Sequence, residues 1–244
     1  PFGEEGFPDA DPQELGLKRL HCVERYGWIW AAPDGSPFDL DERLAGLQED
    51  LSWLGAEALE IKATETSERQ ANWKILIEGG LEAYHFRIVH RKTIGPHFPN
   101  NLSSYQCFGD NLRSILPRAS IGDLDLADAD ASRIREHANI LYTIFPLSQF
   151  LVMQDHLVWI REEPLGPGRT RMHISTLADP GDAAAEHWAR NQGITTATLR
   201  EDGDIGESIQ SVIHAGANED FRFGRFEGAL ARFNACVDRY VEAG

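Results

Sequence analysis

The chain has 244 residues, with 23 Lys+Arg against 39 Asp+Glu and a formal net charge of −16 at pH 7. Such acidity excludes a nucleic-acid binder or a protein docked on anionic lipid, because both need a basic face. No apolar run reaches the roughly 18 residues of a membrane span, and three scattered cysteines, Cys22, Cys107 and Cys236, exclude a disulfide framework or a Cys-rich zinc site and point to a reducing, cytoplasmic location.

Residues 1–14 read as loop, punctuated by Gly3, Gly6, Pro8 and Pro12. Residues 17–23 and 28–32 read as strands joined by a turn at Tyr26-Gly27. The breaker cluster Pro33-Asp34-Gly35-Ser36-Pro37 marks a boundary, giving one unit at 1–38 and another at 39–244. Leu40, Leu44, Leu47, Leu51 and Leu54 recur at helical spacing, and 59–63 alternates as a strand does. A helix is expected from Asn72 to about Tyr84, with Trp73, Leu76, Ile77 and Leu81 on its apolar face. Gly79-Gly80 interrupts it at a cost of about 1 kcal/mol per glycine. Strand-like runs follow at 104–107, 112–116, 140–145, 150–153 with 156–160, and 170–177. Helices are expected at 183–190, from about 198 to 213, and at 226–241. Consecutive strands followed by a long terminal helix imply α+β: an antiparallel sheet around a long C-terminal helix.

The stretch Asn72–His90 carries the chemistry. His85 and His90 lie five apart, and Glu82 sits three before the first. On a regular helix, five residues leave two side chains about 140° apart. Both imidazoles reach one metal only if the helix ends or unwinds between them, and the β-branched pair Ile88-Val89 favours an ending there. Two imidazoles and one carboxylate form the facial triad of non-haem Fe(II) centres. From the spacing alone a capping His85 with a loop His90 is the favoured reading, because isolated histidine pairs are common. For the carboxylate, Ile205, Ile209, Val212 and Ile213 form one helical stripe, and Asp202 falls nearer its centre than Glu201 does. Glu201 and Asp204 read as a solvated acidic face. His97 reads as surface, while His156 and His173 read as satisfied strand residues. Phe145, Phe150, Met153 and Trp159 are candidate pocket residues, although strand aromatics are usually core.

The run Asn72-Trp73-Lys74 followed by Glu78, Glu82, Tyr84, His85 and His90 resembles the mononuclear-iron motif of Rieske-type ring-hydroxylating oxygenases, in their large or α subunit. Glu201-Asp202 with Glu207 and Gln210 resembles a second segment of that family, and Phe223-Gly224-Arg225-Phe226-Glu227 a third. The resemblance implies a helix-grip fold of the START/Bet v 1 kind. It implies Fe(II) held by His85, His90 and Asp202. It implies that Glu82 is the carboxylate bridging an iron-ligand histidine to a histidine of the neighbouring subunit's [2Fe–2S] cluster. Tyr84 is expected to pack or support the site. The family often has Asn-Phe or Asn-Tyr where this chain has Gly79-Gly80, which leaves extra room there.

The implied reaction is O2-dependent: ring hydroxylation or oxidative demethylation of a small aromatic or alkyl-ammonium compound. Electrons would come from NAD(P)H through a ferredoxin or flavin reductase, in a homotrimer. Residues 1–38 resemble the closing strands of the [2Fe–2S] domain, whose cluster ligands are expected upstream of Pro1. The alternatives are a non-enzymatic helix-grip ligand-binding module, since fold does not fix function, and a zinc hydrolase built on the histidine pair.

Overall fold

Tyr26 and Gly27 both take positive φ, 58° and 79°, as the tight two-residue turn of a twisted hairpin requires. They join β1 (Cys22–Arg25) to β2 (Trp28–Ala31) in an antiparallel pair. A computed structural model describes residues 16–242 apart from 126, 128, 129, 182, 183 and 217–219, together with residues 6, 9 and 11. The expected loop signals Gly3, Pro8 and Pro12 lie outside the described residues. The first strand starts later than 17, because Leu17 and Leu20 are exposed and find no partner strand.

The leucine repeat forms two short helices, α1 (Leu40–Leu44) and α2 (Gln48–Leu54), rather than one. Ala45 and Gly46, at φ 49° and 106°, break it. The repeat still serves one face: Leu40, Leu44, Leu47 and Leu51 are all buried.

Seven strands form a single antiparallel sheet: β3 (Glu60–Arg69), β4 (Ser104–Phe108), β5 (Asn111–Pro117), β6 (Ala138–Ile144), β7 (Ser148–Val152), β8 (Leu157–Gly166) and β9 (Arg169–Ala178). Their order is β3-β9-β8-β7-β6-β5-β4. β3 runs to Arg69, well past the alternating 59–63, because its whole length pairs with β9.

Alternation divides the strands between two faces. On one face Ile140, Tyr142, Ile144, Phe150 and Val152 pack against α1, α2 and Trp28. Trp28 stacks on Phe150 at 4.4 Å and meets Trp159 edge-on, so Phe150 and Trp159 are core residues. The other face bears Leu112, Leu141, Val158, Ile160, Met172 and Ile174. It receives α3 (Trp73–Gly79), α4 (Phe86–Val89), α6 (Ala185–His214) and α7 (Gly228–Glu242), while α5 (Ile134–His137) precedes β6. The fold is therefore α+β, a large antiparallel sheet with long C-terminal helices on one face. Among the described residues, no helix is long and apolar enough to cross a membrane.

The helices expected at 183–190 and 198–213 are one 30-residue helix, α6; Ala183 lies outside the described residues. Gly193 does not break α6, because the helix is held along its length by β3 and α3. Its buried face is made of Trp188, Gln192, Gly203, Gly206 and Gln210. The Ile205–Ile209–Val212 stripe does not face the core; these side chains are partly exposed. The helix buries its glycines because α3 and the end of β3 approach closely: a Cβ at Gly206 would lie 3.2 Å from Leu76 of α3, and one at Gly203 would strike the Arg69 guanidinium of β3.

Candidate metal centre

The side chain of Asn72 caps α3 by accepting the Lys74 amide at 3.0 Å. The helix stops at Gly79, five residues earlier than expected. Gly80 is required by packing: a Cβ there would lie 2.7 Å from the Gln149 amide, which itself donates to the Ile77 carbonyl at 3.1 Å. Gly79 meets nothing within 4 Å and leaves open space. The chain then leaves helical geometry and re-enters a single turn, α4, with His85 at its N-cap and His90 at its C-cap. The two histidines therefore stand just outside the two ends of one helical turn rather than on a continuous helix, and the imidazoles converge with their Nε2 atoms 3.2 Å apart.

Asp202 arrives from α6. Three contacts fix that helix against the end of β3 and the start of α3. Arg69 pairs with Asp204 at 3.2 Å, the Gln70 amide donates to Glu207 at 2.9 Å, and the Asn72 amide donates to Gln210 at 2.8 Å. Glu207 and Gln210 are therefore the residues that set the rotation and register of α6. With these in place, Asp202 Oδ1 lies 2.9 Å from His90 Nε2 and 3.4 Å from His85 Nε2. Among the described residues this is the one group of three His, Cys, Asp or Glu side chains whose ligand atoms all lie within 4.8 Å.

The far nitrogens are held as well. His85 Nδ1 donates to Glu82 Oε1, and Glu82 Oε2 accepts the amides of Tyr84 at 2.6 Å and His85 at 3.2 Å. His90 Nδ1 donates to Glu201 Oε2 at 2.8 Å, and Thr93 Oγ1 donates to the same oxygen at 2.6 Å. These bonds place the proton on Nδ1 of each ring and turn both Nε2 lone pairs toward Asp202. Three mutually perpendicular donors about 2.1 Å from one ion stand about 3.0 Å apart. The spacings match that geometry, so the donor set fits a single ion.

Charge is concentrated here. Burial pulls the His85 pKa down, but hydrogen bonds to Asp202 and Glu82 outweigh it and push it up to about 9. His90 is raised by the same balance: burial opposes its charge, while Asp202 and Glu201 favour it. Asp202 is held below its usual range, because bonds from His85 and His90 overcome the opposing effect of burial.

Glu201, expected on a solvated acidic face, is instead the second carboxylate behind the histidines. Its partner Thr93 is 108 residues away in sequence, so no local spacing signals it. Asp204 is exposed, as expected, and so is His97. His156 bonds Asp155 and His173 bonds Glu163. The Tyr84 hydroxyl donates to Glu227 at 2.9 Å, tying the loop before α7 to the histidine segment. His85 and Asp202 also line a cavity of about 680 Å3, walled by Ile75, Leu76, Ile205 and Ile209. The isoleucines of the exposed stripe are a wall of this cavity. Replacing Glu201 with Gln removes the charge behind His90, and metal affinity should fall about 10- to 100-fold, measured by competition with a chelator.

Residues 56–243 match the family described as the ring hydroxylating alpha subunit, catalytic domain. The chain belongs to this family. It is 31% identical over 92 residues to the glycine betaine monooxygenase oxygenase subunit of Pseudomonas aeruginosa, a match covering 38% of this chain and 21% of that protein. It is 28% identical over 124 residues to the like-named subunit of Chromohalobacter salexigens, covering 51% and 25%. A crystal structure of the quaternary ammonium Rieske monooxygenase CntA superimposes with a TM-score of 0.79 at 16% identity, over 98% of this chain and 66% of that one. Naphthalene 1,2-dioxygenase from Rhodococcus sp. superimposes with a TM-score of 0.71 at 13% identity, over 96% and 69%. The chain thus spans about a quarter or less of the curated relatives and about two thirds of the CntA chain. Membership makes it an oxygenase catalytic domain, a class that carries a mononuclear iron.

Proposed function

We propose that this chain hydroxylates a small organic substrate with O2 at an Fe(II) ion held by His85, His90 and Asp202. The observation that carries this reading is the convergence of those three donors, within a chain of this family, beside a largely apolar cavity. The ion, when bound, supplies the activation of O2. The protein does the rest. Glu82 and Glu201 lock the two imidazole orientations, and Asp202 contributes the negative charge that a dication needs. His85 and Asp202 line the cavity, so an ion held by the three residues would sit at its wall.

Electrons from NAD(P)H are proposed to arrive through a ferredoxin or flavin reductase and a [2Fe–2S] cluster in another domain. Glu82 is proposed as the bridging carboxylate. It is only 9% exposed, lines the same cavity and already bonds His85. The β1–β2 hairpin within 1–38 is proposed as the closing strands of the cluster domain, and the assembly as a homotrimer. The curated relatives are named for glycine betaine oxidation, and CntA is known in complex with γ-butyrobetaine and L-carnitine. These names favour alkyl-ammonium substrates over aromatic ones. The cytoplasm is the proposed compartment, in keeping with free, exposed Cys22 and Cys107.

The test is turnover of the full-length protein with a reductase, NADH and 18O-labelled dioxygen. Product carrying 18O supports the reading. Conversion of candidate substrates with oxygen derived only from water sinks it.

A further inference from the structure

A small polar pocket of about 180 Å3 opens at the sheet edge, where β4 and β5 meet the start of α7. It lies below the size that holds a drug-sized ligand. Its buried floor is Ser114, on β5. Tyr105 stands beside Ser114, because the two pair directly across β4 and β5 and so share a face of the sheet. Ser103 and Ser104 line the outer side, and Arg225 and Gly228 line it from the segment that opens α7.

Unmet donors converge here. Ser114 is 3% exposed, and its Oγ has no hydrogen-bond partner among the described residues. A buried hydroxyl left unmet is costly, so the pocket is where its partner belongs. The Tyr105 hydroxyl stands against the start of α7, since a Cβ at Gly228 would strike it. Gly228 opens a 15-residue helix, and its amide is one of the first-turn donors with no acceptor inside the helix. That end of a helix favours negative charge. Arg225 is exposed, forms no ion pair among the described residues, and supplies the one full charge on the lining. No carboxylate lines the pocket, in a chain of net charge −16. The neighbouring acid Glu227 faces the cavity of the metal centre instead, where its oxygens accept from the Gly224 amide and the Tyr84 hydroxyl. Two hydroxyls, a helix amide and a guanidinium around one small space complement an anion with several acceptor oxygens.

We propose that this pocket binds a small tetrahedral oxyanion, phosphate or sulfate. Arg225 supplies the opposing charge, and Ser114, Tyr105 and the Gly228 amide supply hydrogen bonds. The proposal stands apart from the oxygenase reading and uses none of the metal ligands. The pocket shares the segment 225–228 with the Tyr84–Glu227 bond beside His85, so an occupant steadies that segment.

Titration calorimetry of the full-length, iron-loaded protein with inorganic phosphate, at an ionic strength held constant with chloride, tests it. Arg225→Gln and Ser114→Ala should each weaken phosphate binding by at least about tenfold, the scale of a hydrogen bond to a charged group. Ser114→Ala removes a hydroxyl that bonds nothing in the protein, so without phosphate its melting temperature should be no lower than that of the wild type. A lowered melting temperature with phosphate affinity unchanged is the behaviour of a purely structural serine and would overturn the proposal. Limited trypsin digestion gives a second readout. Cleavage after Arg225 should slow in phosphate in the wild type and not in Ser114→Ala. Phosphate that acts no differently from chloride in both measurements would also overturn the proposal. So would binding that survives both substitutions, as phosphate held by the iron or by other cations would.

Discussion

Glu162→Gln should make the protein more stable at pH 8.5 by several kcal/mol. Glu162 lies on β8 and points to the same face as Val158 and Ile160, among Met172 and Ile174. It is 1% exposed, and its Oε2 has no hydrogen-bond partner among the described residues. Burial alone pushes its pKa from 4.5 up to about 8. Between those values the folded chain holds a proton that the unfolded chain has lost. Its contribution is therefore fully present below pH 4.5 and is lost as pH rises toward 8. At about 1.4 kcal/mol per pH unit the loss is on the order of several kcal/mol. Gln has the same shape and no charge to bury, so the variant should show no such decline. Denaturant midpoints from pH 5 to 8.5 measure this. A wild-type slope that persists unchanged in the variant would place its origin elsewhere.

His90→Ala should empty the metal centre and abolish hydroxylation. His90 is 1% exposed, supplies one of three protein ligands, and packs edge-on against Phe86 at 5.6 Å. Two remaining ligands do not hold a ferrous ion against buffer, so the loss should be complete rather than partial. pH acts in a definite direction on the same centre. A metal ligand must shed its proton, and the His85 pKa in the metal-free protein stands at about 9. Proton competition therefore weakens Fe(II) binding below that value, and apparent affinity should climb from pH 6.5 to 9. For the metal-free fold the sign is opposite: the stability from protonated His85 is present below about 6.5 and is lost as pH rises through about 9. Calorimetric titration at three pH values separates the two effects.

Much of this architecture was legible because it depends on local pattern. The strands from 104 to 177 read as short apolar, β-branched and aromatic runs between turn signals, β6 being buried along its whole length, and the leucine repeat names its own buried face. Angular arithmetic shows that one regular helix cannot aim both His85 and His90 at a single point; the chain solves this differently from expectation, ending α3 at Gly79 and placing the two histidines at the N-cap and C-cap of the single turn α4. What escaped depends on distant partners. Nothing near Gly193 shows that α6 runs unbroken for 30 residues, because β3 and α3 hold it from outside. The isoleucine stripe signalled a buried face, but the helix buries its glycines and turns those isoleucines toward a cavity. Asp202 is turned toward the two histidines by contacts that the isoleucine stripe does not encode: Arg69, Gln70 and Asn72 set the helix rotation through Asp204, Glu207 and Gln210. Glu201 could not be told from solvated acid without knowing where Thr93 lies.

The most direct test of the central claim is the metal content of the full-length protein purified without air, with cluster iron counted separately. The account predicts close to one further iron per chain in the wild type and none in a variant carrying both His85→Ala and His90→Ala. Stoichiometric zinc in native material, or iron retained by the double variant, would contradict it.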